Sequence, residues 1–273
     1  MFRSVVQPNV VSIFSSSGSN PLVLFGVHVD KDLPTDSFVH LLKDETSSPE
    51  PDPPKALLDT SASTGKAAES SQLIASVNYK LDQTVLHMQS PTLNKTYIQS
   101  PKIHTGRASD LYLKHPWMHL QVRHLERDWA FEVGVVDQMG REGVLRCSTF
   151  QNEPHLHLSN PPILSLPLTL PSPSSRPLTN WVTIDLNLPR LLPHFSSLAR
   201  RQSQLDLEDA EEDEILNKVS STGATRSSAS IPVGSYSHVA YVRVYATCRL
   251  RRIWFSETNT GKTPWELELY GAD

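Results

Sequence analysis

Hydrophobic and polar residues alternate along several short stretches of this chain, which is the pattern of half-buried β-strands. The alternation is clearest in residues 117–124, 129–137 and 181–188, where every second residue is apolar over most of each stretch. Clusters of Gly, Pro, Ser and Asn separate the stretches and predict turns. Residues 189–201 instead carry leucines and a phenylalanine at near-helical spacing behind a proline. We therefore expect an all-β protein, an antiparallel β-sandwich of jelly-roll type, with one short helix.

Strands that are neighbours in the sequence are expected to pair. Residues 10–14 and 22–29 are predicted to form antiparallel strands joined by a turn rich in Ser, Gly and Pro. The strands at 117–124, 129–137 and 143–150 are predicted to form a three-stranded antiparallel meander.

The longest strand-like run, residues 240–256, changes phase partway along. Its apolar residues occupy even-numbered positions as far as Leu250 and odd-numbered positions from Ile253. Side chains on a strand alternate with a period of two, so the phase can change only if one residue is inserted. A β-bulge near Arg251 and Arg252 is the expected device, and it would direct their guanidinium groups sideways off the sheet.

Arginines on a rigid sheet beside a tryptophan suit recognition of an acidic partner, and no nucleophile or general base lies close to them in the sequence. The candidate partner-binding residues of this run are Arg249, Arg251, Arg252 and Trp254. A second basic group flanks the strand at 117–124 and consists of Lys114, Arg123 and Arg127. The alternative interpretation, which we favour for the second group, is that these charges are solvated or pair with acids of the chain.

Two stretches, about residues 44–75 and 203–232, are poor in aromatic residues and rich in Ser, Pro and acids. Such segments bury too little apolar surface to offset the entropy lost on ordering, so both are predicted to be disordered inserts in one domain spanning residues 1–273. Their formal charges are −4 and −5, against −4 for the whole chain. The rest of the chain therefore carries about +5 and is mildly basic, which makes an anionic partner plausible.

Sequence patterns of catalysis and metal binding are weak. Cys147 and Cys248 lie about a hundred residues apart, so neither a disulfide framework nor a zinc module is indicated. His155 and His157 would share a face of a strand, but no further ligand is fixed by spacing. Residues 261–263, Gly-Lys-Thr, lack the upstream glycine of a phosphate-binding loop. We expect a protein that is not an enzyme and has no metal or other cofactor.

No stretch of the chain approaches 18 consecutive apolar residues, and the N-terminus has no uninterrupted apolar segment. We therefore expect an intracellular protein of a reducing compartment that does not associate with membranes. A carbohydrate-binding module is an alternative that five tryptophans permit, although most of them are interpreted as core residues.

An ordered set of short segments is similar to a known family. The segments are MFR at 1–3, SIF at 12–14, GSNPL at 18–22, TYIQSP at 96–101, FEV at 131–133, FQ at 150–151, LNL at 186–188 and CRLRRIWFS at 248–256. In order and approximate spacing they resemble the cilia- and flagella-associated protein 20 family. The similarity covers most of the chain apart from the two inserts and residues 166–179. Both acidic inserts are departures from the compact members of that family.

The resemblance implies a jelly-roll β-sandwich without enzymatic activity that binds tubulin at the inner junction of doublet microtubules. It also implies the parkin co-regulated protein as a neighbouring partner, and a location in the axoneme and at basal bodies or centrioles. On this basis Arg249, Arg251 and Arg252 are expected to contact acidic tubulin surfaces. The alternative is a nuclear or cytoplasmic adaptor that uses the same domain to bind protein or RNA, although nucleic acid is not the partner we favour.

Overall fold

The computed structural model describes residues 1–48, 83–103, 110–170, 181–213 and 231–259. Within these residues the chain forms thirteen strands and two helices. The strands are β1 (Val10–Ser15), β2 (Gly26–His28), β3 (Phe38–Lys43), β4 (Thr84–Gln89), β5 (Tyr97–Ser100), β6 (Trp117–His124), β7 (Ala130–Asp137), β8 (Glu142–Ser148), β9 (His155–His157), β10 (Ile163–Pro167), β11 (Trp181–Asn187), β12 (Tyr236–Tyr245) and β13 (Cys248–Ser256). The helices are α1 (Leu188–Leu191) and α2 (Pro193–Asp213).

The strands form two sheets. The first sheet has the order β11-β6-β13-β4-β3, and β1 joins it by pairing with β13. The second sheet has the order β2-β5-β12-β7-β8-β10-β9. The prediction of an all-β sandwich is confirmed. One pair departs from a wholly antiparallel arrangement, because β10 runs parallel to β8.

The core lies between the sheets and is built from the apolar sides of the strands. Met118, Leu120 and Val122 of β6 line the first sheet, and Phe131 and Val133 of β7 line the second. All five are at most 1% exposed. Burial of each such side chain stabilises the fold by about 1.5–3 kcal/mol. The alternating pattern therefore holds the two sheets together, and their outer faces carry the charged residues described below.

The predicted pairing of neighbouring strands is only partly correct. β7 and β8 form the predicted antiparallel hairpin. β6 instead lies in the first sheet between β11 and β13, so the three-stranded meander was wrong. β1 pairs with β13 and β2 pairs with β5, which places the first two strands in different sheets. In a sandwich, two consecutive strands can belong to different sheets, and alternation alone does not say which sheet receives each strand.

The predicted bulge in β13 is confirmed. The register of β13 against β6 shifts between Leu250 and Arg252, which leaves Arg251 as the extra residue. Leu250 before the bulge and Ile253 after it are both fully buried in the core. On its other side, β13 pairs with β4 as far as Leu250 and with β1 from Arg252. The bulge therefore lies where β1 replaces β4 as the neighbour of β13.

The helix predicted over 189–201 is present and longer than expected. The side chain of Asn187 caps α1 by accepting a hydrogen bond from the Arg190 backbone N–H at 3.2 Å. α2 continues through residue 213, so the first part of the range assigned to disorder, 203–213, is helical. That stretch contains neither Gly nor Pro, and nothing in it breaks a helix that has already begun.

The first insert does not begin at residue 44 as predicted. Asp44 follows β3 directly and is fully buried, whereas the sequence indicated a solvated acid. Of the two predicted inserts, residues 49–75 and 214–230 lie outside the described residues.

Candidate interaction surfaces

Two of the candidate basic residues converge on one buried carboxylate on the outer face of the first sheet. Arg249 donates from Nη1 to Oδ1 of Asp44 at 2.7 Å, and Arg123 donates from Nη1 to the same oxygen at 2.9 Å. The indole N–H of Trp181 donates to the other oxygen, Oδ2, at 2.9 Å. Arg249 also donates to the hydroxyl of Ser47 at 2.8 Å. We call Asp44, Arg123, Arg249 and Trp181 the Asp44 network.

The strand register explains this network. Arg249 of β13 lies opposite Arg123 of β6, and Trp181 of β11 lies opposite Arg123 on the other side. Like charges directly opposite each other on neighbouring strands repel. Asp44 carries one negative charge against two positive charges, so it relieves this repulsion and leaves a local excess of one positive charge. Arg123 and Arg249 therefore support the fold.

Arg251 and Trp254 are also held within the sheet. Arg251 donates from Nε to Oε1 of Gln83 at 2.9 Å and from Nη1 to Oε1 of Gln121 at 2.5 Å. Burial, and secondarily the charge of Arg252, lowers the pKa of Arg251 to about 10. Trp254 stacks on His119, with ring centroids 4.8 Å apart. The guanidinium of Arg251 does not project off the sheet as expected, because the bulge places it against amide side chains.

Arg252, the neighbour of Arg251 beyond the bulge, is half-buried. The four candidate residues of β13 thus share one strand. The side chains of Arg249, Arg251 and Trp254 are buried and contact other residues of the chain. Their contact with a partner stays a prediction.

The second basic group is not brought together. Lys114 precedes β6 and Arg127 follows it, and both are exposed. A strand of that length separates its ends by about 25 Å, at roughly 3.3 Å per residue. Arg123 belongs to the Asp44 network. Lys114 and Arg127 are therefore separate exposed charges at opposite ends of the sandwich.

Arg127 lies at the rim of a concave site at one end of the sandwich. The cavity has a volume of about 720 Å³ and is lined by Asp36, Asp128, Phe150 and Thr247 among others. Phe150 is 45% exposed, which is unusual for a large aromatic side chain. The cavity carries both signs of charge, so it does not select a ligand class by charge alone.

The outer face of the second sheet carries a further charged cluster that sequence reasoning did not identify. Glu132 of β7 is 2% exposed and lies between Arg146 of β8 and Arg243 of β12 in the register. Arg146 donates from Nε to Glu132 Oε1 at 2.8 Å, and its Nη2 lies 2.6 Å from the same oxygen. Arg243 donates from Nη1 to Oε2 at 3.2 Å. We call this surface, with its surrounding tyrosines, the Glu132 face.

Tyrosine rings surround Arg243 on this face. Its guanidinium carbon lies 4.8 Å from the ring centroid of Tyr97 and 5.5 Å from that of Tyr241. Nη1 of Arg243 also donates to the hydroxyl of Tyr245 at 3.0 Å. Burial by itself would lower the pKa of Arg243, but the hydrogen bond to Tyr245 and the charge of Glu132 raise it overall. The sequence signal was the alternation Tyr241, Arg243, Tyr245 along one face of β12.

Gly134 lies directly beneath one of these rings. A Cβ atom at Gly134 would lie 2.4 Å from Cδ1 of Tyr241, so no side chain fits there while the ring stays in place. The G134A variant is expected to lower the free energy of unfolding by about 1–3 kcal/mol, as measured in urea, because the ring must move. G26A is the matched control in the same sheet, since a Cβ at Gly26 would have no contact closer than 3.8 Å. Equal losses in the two variants would contradict this account.

One constellation has the order of a hydrolytic triad. Nδ1 of His119 lies 2.6 Å from Oδ1 of Asp185, and Nε2 lies 2.7 Å from the hydroxyl of Ser256. Ser256 is only 6% exposed, and its hydroxyl also donates to the backbone carbonyl of Thr258 at 2.9 Å. A nucleophile must reach its substrate, so this arrangement fits a hydrogen-bonded link between β11, β6 and β13 better than catalysis.

Other candidate chemistry is limited. Among the described residues, no group of three His, Cys, Asp or Glu side chains is placed to hold a metal ion. His155 and His157 are both exposed on β9, on the same face as predicted. Burial raises the pKa of the Cys147 thiol to about 12 and that of Cys248 further, so neither is a reactive thiolate near neutral pH. In the part of the chain that the structure describes, neither helix has the length and hydrophobicity to span a bilayer.

Comparison with known families identifies a match. A family model described as CFA20 domain matches residues 59–199, which is more than half of the chain. The matched segment includes β4 through β11, whereas β1, β12 and the arginine-rich β13 lie outside it. Comparison with curated proteins gives no match.

Proposed function

Because the chain belongs to the CFA20 domain family, whose name is associated with cilia and flagella, we propose that it is a structural protein of the axoneme that binds tubulin. In this role it would stabilise doublet microtubules at the inner junction, next to the parkin co-regulated protein. The family match is the observation that carries the proposal. The enzyme-like constellation at Ser256 is buried, which agrees with a non-enzymatic role.

The physical features of the sandwich support this proposal. Charged networks on both outer faces link neighbouring strands, and such cross-strand ion pairs favour a rigid scaffold. Lys114 and Arg127 are the exposed members of the basic groups identified from the sequence. They are available to an acidic surface such as that of tubulin, whereas Arg249 and Arg251 are not free to reorient.

Reversing the two exposed charges should weaken microtubule binding. The double variant K114E/R127E is expected to bind about tenfold more weakly at low salt, because each exposed ion pair contributes up to about 1 kcal/mol and reversal adds repulsion. Co-pelleting with stabilised microtubules measures the affinity. The difference should shrink as the salt concentration rises, since exposed charges are screened.

The matched control is K31E/R200E, which makes the same change of charge at two other exposed residues. An equal loss in this control would show that net charge, and not the position of Lys114 and Arg127, governs binding. Failure of the unmodified chain to pellet would reject tubulin binding altogether.

Location in the cell separates the two function classes. A fluorescently tagged chain is expected along axonemes or at basal bodies. Nuclear or diffuse cytoplasmic signal in ciliated cells would instead favour an adaptor of the same domain family.

A further inference from the structure

The charged cluster of Arg146, Arg243 and Glu132 has one more positive charge than it has negative charges, and a further acid, Glu142, acts on Tyr241 at its edge. Two guanidinium groups, those of Arg146 and Arg243, share the single carboxylate of Glu132. Within the described residues, Nη1 of Arg146 and Nη2 of Arg243 have no hydrogen-bond acceptor. Nε of Arg243 is satisfied by Gln99 at 2.8 Å. The cluster is thus built around one carboxylate but has donors for a second.

The same ratio of two arginines to one acid occurs in the Asp44 network, but the arginines of the two clusters differ in solvent exposure. The side chains of Arg249 and Arg123 are 10% and 15% exposed, whereas those of Arg243 and Arg146 are 26% and 37% exposed. In the Asp44 network, the arginine side chains are largely buried and bind residues of the chain. The unmatched donors of the second sheet reach the surface, where another molecule can meet them.

The surroundings of these donors suit a protein partner. Tyr97 stacks on exposed His28 with centroids 4.5 Å apart, and it meets Tyr245 edge-on at 5.6 Å. Packing holds these rings in place before any partner binds, so little side-chain entropy remains to be lost. Tyr and Arg are also, with Trp, the residue types enriched among the residues that dominate binding energy at protein interfaces.

We propose that the Glu132 face, formed by Tyr97, Glu132, Arg146, Tyr241 and Arg243, is a docking surface for an acidic peptide segment of a protein partner. A carboxylate of the segment accepts hydrogen bonds from the unmatched ends of Arg146 and Arg243 and balances their charge. The tyrosine rings contact the aliphatic part of the same side chain. This inference rests on the proposed function in one respect, since tubulin is the partner that would supply the segment.

A direct test uses a fluorescein-labelled 12-residue glutamate-rich peptide and a glutamine-rich peptide of equal length. Fluorescence anisotropy with the full chain is expected to show binding of the glutamate peptide alone. In R146Q, Glu132 keeps its bond to Arg243, and binding is expected to weaken about tenfold because a charge-assisted pair is lost. The control R190Q alters an exposed arginine at α1, remote in the sequence from this face, and should bind like the unmodified chain.

The variant R146K distinguishes loss of the binding contact from loss of peptide binding through misfolding. It retains the charge but not the planar fork, so binding about threefold weaker than that of the unmodified chain is expected. Circular dichroism of each variant checks the fold. Equal affinity in R146Q and the unmodified chain, or equal affinity for the two peptides, would overturn the proposal. Tighter binding of an oligouridine RNA that is lost in R146Q would overturn it in favour of nucleic acid.

Microtubule pelleting separates this inference from the proposed function. If the unmodified chain and R146Q pellet equally, tubulin binding stands and the Glu132 face is not its site. If peptide binding is lost in R146Q while the unmodified chain does not pellet at all, the docking surface stands and the tubulin proposal fails.

Discussion

The D44N variant is expected to lose about 3 kcal/mol of the free energy of unfolding, because removing one partner of a buried ion pair typically costs 3–5 kcal/mol. Asparagine has nearly the same shape, but it leaves Arg123 and Arg249 without a countercharge. These arginines lie on neighbouring strands, so their repulsion would act across the pairing of β6 with β13. The remaining exposure of the two side chains places the estimate at the lower end of that range.

Urea unfolding followed by tryptophan fluorescence and circular dichroism measures the loss. D32N is the matched control, since the Asp32 side chain is 77% exposed and pairs only with a surface lysine in the described structure. It should change the stability by less than about 0.5 kcal/mol. Equal effects of D44N and D32N would show that the Asp44 network does not stabilise the fold.

The bulge in β13 could be predicted because its evidence is local. A change of phase between Leu250 and Ile253 is visible in a few residues, and the period of a strand allows only one explanation. The hairpin of β7 and β8 is local in the same way, since a short turn joins two alternating stretches.

The burial of the arginines could not be predicted because their partners are distant in the sequence. Arg249 and Asp44 are 205 residues apart, and Asp44 adjoins a stretch whose composition is typical of a solvated insert. His119 and Gln121 are the polar residues that alternate with the core residues of β6, and both are buried. A polar residue on the outer side of a strand is exposed only if nothing covers that side. Alternation therefore identifies the core side of a strand but leaves the environment of the other side open.

Tertiary structure also decides which outward arginines remain available to a partner. On the first sheet, Arg249 and Arg123 lie within a closed network. On the second sheet, Arg146 and Arg243 have a similar arrangement that stays open. The sequence shows arginines in strands at both places, and they are densest along the chain in β13. Density along the chain proved a poor guide to exposure.

Raising the pH from 8 to 10 is expected to reduce the free energy of unfolding by about 3 kcal/mol through two buried thiols. Burial raises the pKa of Cys147 from 9.0 to about 12, and it raises the pKa of Cys248 still further. Above pH 9 the unfolded chain loses these protons while the folded chain keeps them, so ionisation favours unfolding. Integrated from pH 8 to 10, each thiol contributes about 1.4 kcal/mol, because the full slope applies only above the unfolded pKa, and the stabilisation is lost as the pH approaches the folded pKa.

The double variant C147A/C248A isolates this effect. Urea unfolding between pH 8 and 10 is expected to show less than about 1 kcal/mol of change in the variant, against about 3 kcal/mol in the unmodified chain. The absolute stability of the variant does not enter, because only the slope with pH is compared. Burial also raises the pKa of Tyr236 and Tyr241, so both proteins should lose stability more steeply above pH 10. Equal slopes below pH 10 would mean that the thiols ionise in the folded protein, and rapid labelling by a thiol reagent at pH 9 would then be expected.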